Sequence, residues 1–431
     1  MSTLEVRVNA QAVEDGTVGG AQLAGNIYSV EGVARSRRDV VLPIGEHVTP
    51  ATFVVDPGRY VVEAALPSGR LLSHEVVVAE GQTVPVEFDA TDSPSADLSW
   101  QYIVGNVESA DIYTAETAVP VPRSRGAQTT LPGLVADQVA GALALPGVWC
   151  TGDADQGIGF AELLEVAEGQ AERVFDSFTS ASWVDKHEDI EPVAGDDGLV
   201  LFRFNSNTFP GLSAYATGGR RFLLVTSIVG RFVVTVPVPW MDVRSATEVT
   251  VEVLVNGRQS PFGNPVAVAV PDPTLGAGLG YLANGALARA ATVFGDVEGM
   301  LFDKMLNPLG AAAGGYVLVG TDTAQQRTYW DEWIDNLDSR FPSMSDGAIL
   351  RAIRKLRMAQ SAEDLNAARD ALIRAFRRGV PIFTLGLSWL IDGLSEFPDD
   401  ECRAALKQVR RLSWRVDMRE PFVIIRTGPT K

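Results

Sequence analysis

The chain has 431 residues, of which 46% are hydrophobic, so it is long and apolar enough for two or three cores. Its formal net charge of −18 argues against nucleic acid as the main partner, because duplex binding depends on clustered Lys and Arg. We expect no constitutive membrane span, because no uncharged apolar run of about 18 residues occurs. The opening segment lacks a secretory-signal pattern, which predicts a cytoplasmic protein.

The segment from residue 54 to residue 88 reads VVDPGRYVVEAALPSGRLLSHEVVVAEGQTVPVEF and contains three β-branched runs separated by turn residues. This spacing predicts a meander of short antiparallel strands. Tyr60, Val62, Ala64 and Leu66 fall on one face of the middle strand, which we expect to cover a core. Together with the opening strand LEVRVNA, the pattern predicts a small β-sandwich over residues 1–92.

This segment resembles the prealbumin-like sandwiches of the Cna-B, PEGA and carboxypeptidase-regulatory type. The resemblance lies in the phrase VDPGRYVVEAALPSGR followed by VVVAEGQTVPVEF, and it covers about residues 1 to 90. Those modules usually serve as accessory or binding domains. Because the shared phrase encodes turns rather than chemistry, the resemblance implies the fold alone.

Residues 93–147 are rich in Pro, Gly, Ser and Thr, which predicts a linker or long surface loop. Within it, Arg123 and Arg125 mark the expected protease-sensitive loop. Strand signals return in residues 148–272, with runs such as LVLFRFN and RFVVTVPVP. They predict a second β-rich domain, so the front half is expected to be two antiparallel sandwich-like units.

After residue 272 the sequence changes to Ala, Leu and Arg at helical spacing, which predicts a helical domain over residues 273–431. Short helices with single apolar stripes are typical of a helical bundle or an irregular α-solenoid. The predicted helix caps, ends and starts are Ser345, Ser361 with Asp364, Gly379, Pro381 and Asp399.

The stretches NPLGAAAGGYVLVG, WIDNLDSRFPSMSDGAILRA and RRGVPIFTLGLSWLIDGL resemble uncharacterised bacterial proteins associated with caspase-like peptidases. The similarity covers roughly the last third of the chain. It carries no catalytic residue, but it implies a caspase-like peptidase as one candidate protein partner.

The usual catalytic and cofactor patterns are weak or missing. Neither Ser213 nor Ser388 lies in a G-x-S-x-G elbow, and no histidine lies beside a cysteine. Gly278, Gly280 and Ala283 match G-x-G-x-x-A, but prolines interrupt the preceding strand-to-helix turn, so close helix packing explains the glycines better. We therefore predict no catalytic, cofactor-binding or metal-binding residues.

Two acidic segments leave cation binding open. In residues 153–155, Asp153 and Asp155 alternate as at the start of a calcium loop, but the twelfth position is Leu164. In residues 185–197 the acids surround His187, and such a charge run usually forms a solvated loop. We interpret both segments as acidic loops.

Basic residues recur at helical intervals near the C-terminus. Residues 345–431 contain 16 Lys and Arg against 11 Asp and Glu, so this segment is net basic although the whole chain is acidic. We expect the resulting ridges to meet an acidic surface, either of the same chain or of a partner. The predicted partner-binding ridge residues are Arg351, Arg354, Lys355, Arg374, Arg377, Arg378, Arg403, Lys407, Arg410 and Arg411.

These patterns favour a non-enzymatic bacterial adaptor or scaffold that acts by binding protein partners. One alternative is a substrate or effector of a caspase-like peptidase in a defence or stress system, activated by cleavage. Another is an enzyme with an unrecognised carboxylate site, in which Asp153, Asp155, Glu188 and Asp189 would converge.

Overall fold

The computed structural model describes most of residues 1–90 and most of residues 160–427. The described residues are 1–9, 22–30, 36–44, 48–67, 69–90, 160–166, 171–177, 186–190, 194–196, 199–204, 220–227, 230–236, 240–242, 247–249, 251–256, 266–270, 273–322, 329–418 and 420–427. The predicted linker over residues 93–147 lies outside them, and so do Arg123, Arg125, Asp153 and Asp155.

The described residues among the first 90 form two sheets. Their strands are β1 (Ser2–Asn9), β2 (Gln22–Ser29), β3 (Arg37–Pro43), β4 (Ala51–Val55), β5 (Gly58–Ala65), β6 (Leu71–Val78) and β7 (Thr83–Asp89). One sheet has the strand order β4-β1-β7 and the other β3-β2-β5-β6. On β1, Leu4, Val6 and Val8 are fully buried while the residues between them are half-buried. This alternation follows from the two-residue period of a strand.

The middle strand of the predicted meander has the expected faces. Tyr60, Val62, Ala64 and Leu66 are all buried, whereas the intervening Glu63 is half-buried. The alternation of apolar residues therefore identified the core-facing side of β5 correctly. A prealbumin-like sandwich for this region stays a prediction.

The prediction of a purely antiparallel meander is wrong at its last strand. β5 and β6 pair antiparallel, but β7 pairs in parallel with β1, with Thr83 opposite Thr3. After Gly81, which has a positive φ of 74°, the chain enters the other sheet, where Val86 and Phe88 are buried. The turn residues marked the change of direction but carried no information about the pairing partner.

The described part of the middle region contains three further sheets. Its elements are β8 (Phe160–Val166), α1 (Arg173–Ser177), β9 (Lys186–Ile190), β10 (Ala194–Asp196), β11 (Leu199–Phe204), β12 (Arg220–Ser227), β13 (Gly230–Thr235), β14 (Trp240–Asp242), β15 (Thr247–Val249), β16 (Val251–Asn256) and β17 (Val266–Ala269). The strand orders are β10-β11-β16-β17, β14-β15 and, with β18 (Ile424–Thr427), β18-β13-β12-β8-β9. The strand β18 comes from the C-terminal end of the chain, in the region predicted to be helical.

The predicted acidic loop over residues 185–197 is wrong in part, because it contains β9 and β10. β9 pairs antiparallel with β8, with His187 opposite Leu164, and it lies at one end of its sheet. The ladder of backbone hydrogen bonds holds this charged segment extended, and edge strands commonly carry charged side chains. The local charge pattern does not reveal such a pairing.

The remaining described residues are mostly helical. The helices are α2 (Pro273–Ala283), α3 (Leu287–Phe294), α4 (Val297–Phe302), α5 (Pro308–Thr321), α6 (Asp331–Arg340), α7 (Ser345–Met358), α8 (Ala362–Arg377), α9 (Thr384–Ser395) and α10 (Asp400–Ser413). The chain thus has sheets in its N-terminal part and helices in its C-terminal part, as predicted. No helix among the described residues is long and apolar enough to cross a membrane.

The sequence signals for α8 and the start of α10 are confirmed. Ser361 and Asp364 form a reciprocal capping box at the start of α8, and Gly379, with φ of 88°, follows its end. The Asp399 side chain accepts from the Cys402 amide and caps α10.

Two other helix starts differ from prediction. Ser345 is not the N-cap of α7 but lies in its first turn, with a fully buried hydroxyl. Pro381 does not open α9, which begins at Thr384. The backbone amides of Ile382 and Phe383 instead donate to the Asp346 carboxylate at 2.9 and 3.3 Å, which holds this segment outside the helix.

Close packing explains the glycine motif in α2, as the sequence analysis favoured. A Cβ on Gly278 would lie 1.8 Å from the ring of Phe294 in α3. A Cβ on Gly280 would lie 2.6 Å from Pro67, which follows β5. Both glycines therefore allow close contacts between α2 and its neighbours.

One tyrosine joins the helices to the first β region. The buried Tyr281 hydroxyl of α2 accepts from the Ala24 amide at 3.0 Å and donates to the Ala65 carbonyl. Asn284 donates to the Pro67 carbonyl at 2.5 Å. The helical region therefore packs directly on β2 and β5.

A second contact joins the helices to the middle region. Phe175 of α1 stacks on Phe376 of α8, with ring centroids 5.0 Å apart. The Thr235 hydroxyl at the end of β13 donates to the Val423 carbonyl at 3.0 Å. The helices thus contact both β regions.

Candidate functional site

Three arginines converge on one buried carboxylate between α6, α7 and α8. The Asp338 side chain is only 2% exposed. It accepts from Arg351 at 3.1 Å, from Arg374 at 2.7 Å and from Arg378 at 2.5 Å. These three arginines and Asp338 are called the Asp338 cluster below.

Close backbone contact positions this cluster. A Cβ on Gly347 of α7 would lie 2.9 Å from the backbone nitrogen of Asp338, so only glycine lets α7 approach α6 here without a shift. Burial raises the pKa of Asp338, but the charges and hydrogen bonds of Arg378, Arg374 and Arg351 outweigh it, so the net pKa is lowered. The carboxylate is therefore ionised at neutral pH.

A further arginine joins α7 to the end of α5 and to the start of α6. Arg354 donates to Asp322 and to Asp331, each at 2.7 Å, and its guanidinium lies 4.2 Å from the ring centroid of Trp330. The Arg354 side chain is 6% exposed. Paired on two sides and stacked on an aromatic face, it supports the helix packing.

A third group joins α8 to α10. Arg369 donates to Asp399 at 2.8 and 3.0 Å and to Glu401 at 2.8 Å, and Arg377 also donates to Glu401 at 2.8 Å. Hydrogen bonds from Arg369 and from the Cys402 amide lower the pKa of Asp399. The cap of α10 is therefore also an ion-pair partner of α8.

The predicted ridge residues fall into two groups in the structure. Five of them form ion pairs with acidic residues of the same chain: Arg351, Arg354, Arg374, Arg377 and Arg378. Lys355 lines a cavity of about 130 Å³ together with Asp331, Asp335 and Asp364. The remaining ridge residues lie along the exposed side of α10: Arg403, Lys407, Arg410 and Arg411. A partner-binding role for the ridge stays a prediction.

An open apolar groove lies between the end of α7, the start of α8 and the connection from α9 to α10. Its volume is about 670 Å³, within the usual range for binding sites of about 300–1,000 Å³. Its lining residues are Ile353, Leu356, Arg357, Ala362, Leu365, Asn366, Glu396, Phe397 and Pro398. Leu365 is 43% exposed. This set of residues is called the α7–α8 groove below.

The α7–α8 groove has a firmly held basic side chain in its lining. The Arg357 guanidinium lies 5.5 Å from the ring centroid of Trp389 and donates to the Val319 carbonyl. Burial lowers the pKa of Arg357, and neighbouring Arg354 adds to this effect. The opposite charge in the lining comes from Glu396. The groove could not be predicted from the sequence, because Leu365 lies at the helical spacing of Ala368 and Leu372, which are buried, and the pattern predicts burial for all three.

The part of the chain that the structure describes does not bring together the acidic residues considered for catalysis or cation binding. No group of three or more His, Cys, Asp or Glu side chains that could hold a metal occurs among those residues. Asp153 and Asp155 lie outside them, while Glu188 and Asp189 lie on β9. Convergence of these four acids stays a prediction.

The comparison with protein families matches the helical region. Residues 277–423 are similar to the family described as the Y4kD C-terminal domain. The matched segment contains the Asp338 cluster and the α7–α8 groove, and it stops just before β18. No curated protein and no solved structure matches the chain. The expected C-terminal domain of uncharacterised type is thus supported, whereas the link to caspase-like peptidases and the N-terminal resemblance stay predictions.

Proposed function

We propose that the chain is a non-enzymatic adaptor that binds a protein partner through the α7–α8 groove. The observation that carries the proposal is the concentration of apolar side chains in one open concavity. Leu365 is 43% exposed, and Leu356 and Phe397 are half-buried in the same lining. Isolated exposed apolar residues are ordinary on a surface, but a concave group of them is typical of a binding site.

The occupant that fits this groove is an amphipathic helix of the partner. Two helices form much of the lining, and their apolar residues can accept side chains spaced by three or four positions. The lining also contains Arg357 and Glu396, which carry opposite charges. A helix with an apolar row flanked by an acidic and a basic residue would be complementary to both charges.

The surrounding ion pairs support recognition by keeping the helices of the groove in place. Arg374 and Arg378 tie α8 to Asp338, and Arg354 ties α7 to Asp322 and Asp331. A site formed before its partner arrives loses less conformational entropy on binding. We therefore assign the buried charge clusters a supporting role and the groove the contact role.

Site-specific photo-crosslinking in the native cell tests this proposal. A photoreactive residue at position 366, in the groove, should crosslink one defined protein, whereas the same residue at position 370 should not. Asp370 lies on the same helix with its side chain 69% exposed and is not part of the groove lining. The crosslink should disappear when Leu365→Glu is added and should persist with Glu363→Gln. An equal crosslink from both positions, or one insensitive to Leu365→Glu, would contradict the proposal.

A further inference from the structure

A second surface lies at the end of α10 and is separate from the groove lining. Trp414, which follows α10, is 86% exposed. Large aromatic side chains are usually buried at least in part, since each can bury about 150–250 Å² of surface. Among the described residues, Trp414 has no aromatic or cationic contact partner. No contact among the described residues therefore explains why this ring is exposed.

Basic residues share the face of α10 that leads to Trp414. Arg403, Lys407 and Arg410 precede Trp414 at spacings of four, three and four residues, which place all four side chains on one side of the helix. The backbone at Trp414 is still right-handed helical, with φ of −63° and ψ of −10°. We call these four residues the α10 stripe. The opposite side of α10 is buried and consists of Cys402, Ala405, Val409 and Leu412.

The central charges of the α10 stripe lack a counterion in the described part of the chain. Arg403 pairs with Asp400 at 2.8 Å, but neither Lys407 nor Arg410 has an ion pair among the described residues. The helix dipole favours a basic residue in the last turn, which accounts for Arg410. It does not account for Lys407 in the middle of the helix or for the exposed ring of Trp414.

We propose that the α10 stripe docks a carboxylate-rich segment of a protein partner, with an apolar side chain of that segment packed on Trp414. Charge complementarity favours carboxylates in the partner segment, because Lys407 and Arg410 are exposed and form no ion pair with an acid among the described residues. Tryptophan and arginine are the residue types most enriched at the energetic centres of protein interfaces. The proposal does not depend on the α7–α8 groove.

Other anionic partners fit this stripe less well. A membrane-surface helix needs a wide apolar face, but the apolar face of α10 is buried and leaves Trp414 alone to insert. Nucleic acid binding would have to overcome the net charge of −18 of the whole chain. A short acidic peptide avoids both problems, because it needs only the local charge and one apolar contact.

Titration of the full chain with a synthetic glutamate-rich peptide carrying one phenylalanine tests the proposal. We expect binding that weakens with salt, is reduced at least about tenfold by Lys407→Glu with Arg410→Glu, and is reduced severalfold by Trp414→Ala. The matched control is Arg289→Glu with Arg340→Glu, which changes the net charge equally on α3 and α6 and should leave binding unchanged. Circular dichroism of each variant checks that α10 remains folded.

Three results would overturn this inference. The first is the absence of peptide binding, or an equal loss with the control pair. The second is tighter binding to phosphatidylserine vesicles than to the peptide, which would identify a membrane surface. The third is tighter binding to duplex DNA. None of these results affects the crosslinking test at position 366, so failure of the stripe and failure of the groove can be told apart.

Discussion

The Arg378 guanidinium donates to the Asp338 carboxylate at 2.5 Å, with the two side chains only 15% and 2% exposed. This contact fixes the end of α8 on α6. Because Arg351 and Arg374 reach the same carboxylate, one acid neutralises part of the charge of three bases. Removing the acid should therefore destabilise the fold more than the loss of one ion pair would, because it leaves partly buried cations close together.

Replacement of Asp338 by Asn should lower the free energy of unfolding by about 3 kcal/mol, because it leaves three partly buried arginines without their shared carboxylate. Asp335→Asn is the matched control. Asp335 lies on the same helix and pairs with the same Arg351 at 2.9 Å, but its side chain is 48% exposed. The control should cost less than about 1 kcal/mol. Urea unfolding followed by circular dichroism measures both, and equal losses would contradict the central role of Asp338.

The pH dependence of stability follows from the same group. The pKa of Asp338 is lowered in the folded protein relative to about 3.9 for an unfolded aspartate. Its contribution to stability is therefore fully present above about pH 4 and is lost as the pH falls further, towards the folded pKa. Asp338→Asn should flatten this part of the curve of unfolding free energy against pH. An unchanged slope below pH 4 would show that other carboxylates dominate it.

Tyr281→Phe should weaken the contact between α2 and the first β region. The change removes the hydroxyl that accepts from the Ala24 amide, which is buried, at a cost of about 1–3 kcal/mol. Tyr60→Phe is a suitable comparison, because the Tyr60 hydroxyl donates to the backbone carbonyl of Asp56 within one β region. Hydrogen exchange of the Ala24 amide should accelerate in Tyr281→Phe and not in Tyr60→Phe. Unchanged exchange in both variants would contradict this role of Tyr281.

Cys402 should behave as a buried, unreactive thiol. It is fully buried in α10, and burial together with the hydrogen bond to Asp399 raises its pKa to about 12. In a Cys150→Ser variant, where Cys402 is the remaining cysteine, alkylation at pH 8 should be negligible until the protein unfolds. Rapid labelling of the folded protein would show that α10 opens frequently.

Local sequence patterns were sufficient for much of the fold. The alternation around Tyr60 and Val62 identified the buried face of β5, and the pair Ser361 and Asp364 identified the start of α8. These features depend on residues close in sequence. The β-branched run at residues 423–425 suggests that β18 is a strand. Local patterns could not reveal its pairing with β13, or the pairing of β7 with β1, because the paired segments are distant in sequence.

The candidate sites were less accessible from sequence. The arginines were visible as helical ridges, but their partners were not, since Asp338 lies 36 residues before Arg374 and 40 before Arg378. Charge spacing alone cannot distinguish a buried network from a free surface. The α10 stripe followed from the spacing only after the pairing of the other arginines was known.

Binding of a protein partner in the α7–α8 groove is tested most directly by isothermal titration of the full chain with the purified protein that crosslinks at position 366. We predict saturable one-to-one binding that Leu365→Glu weakens at least about tenfold, while Asp370→Lys on the same helix leaves the affinity unchanged. An equal affinity of the native chain and the Leu365→Glu variant would contradict the claim.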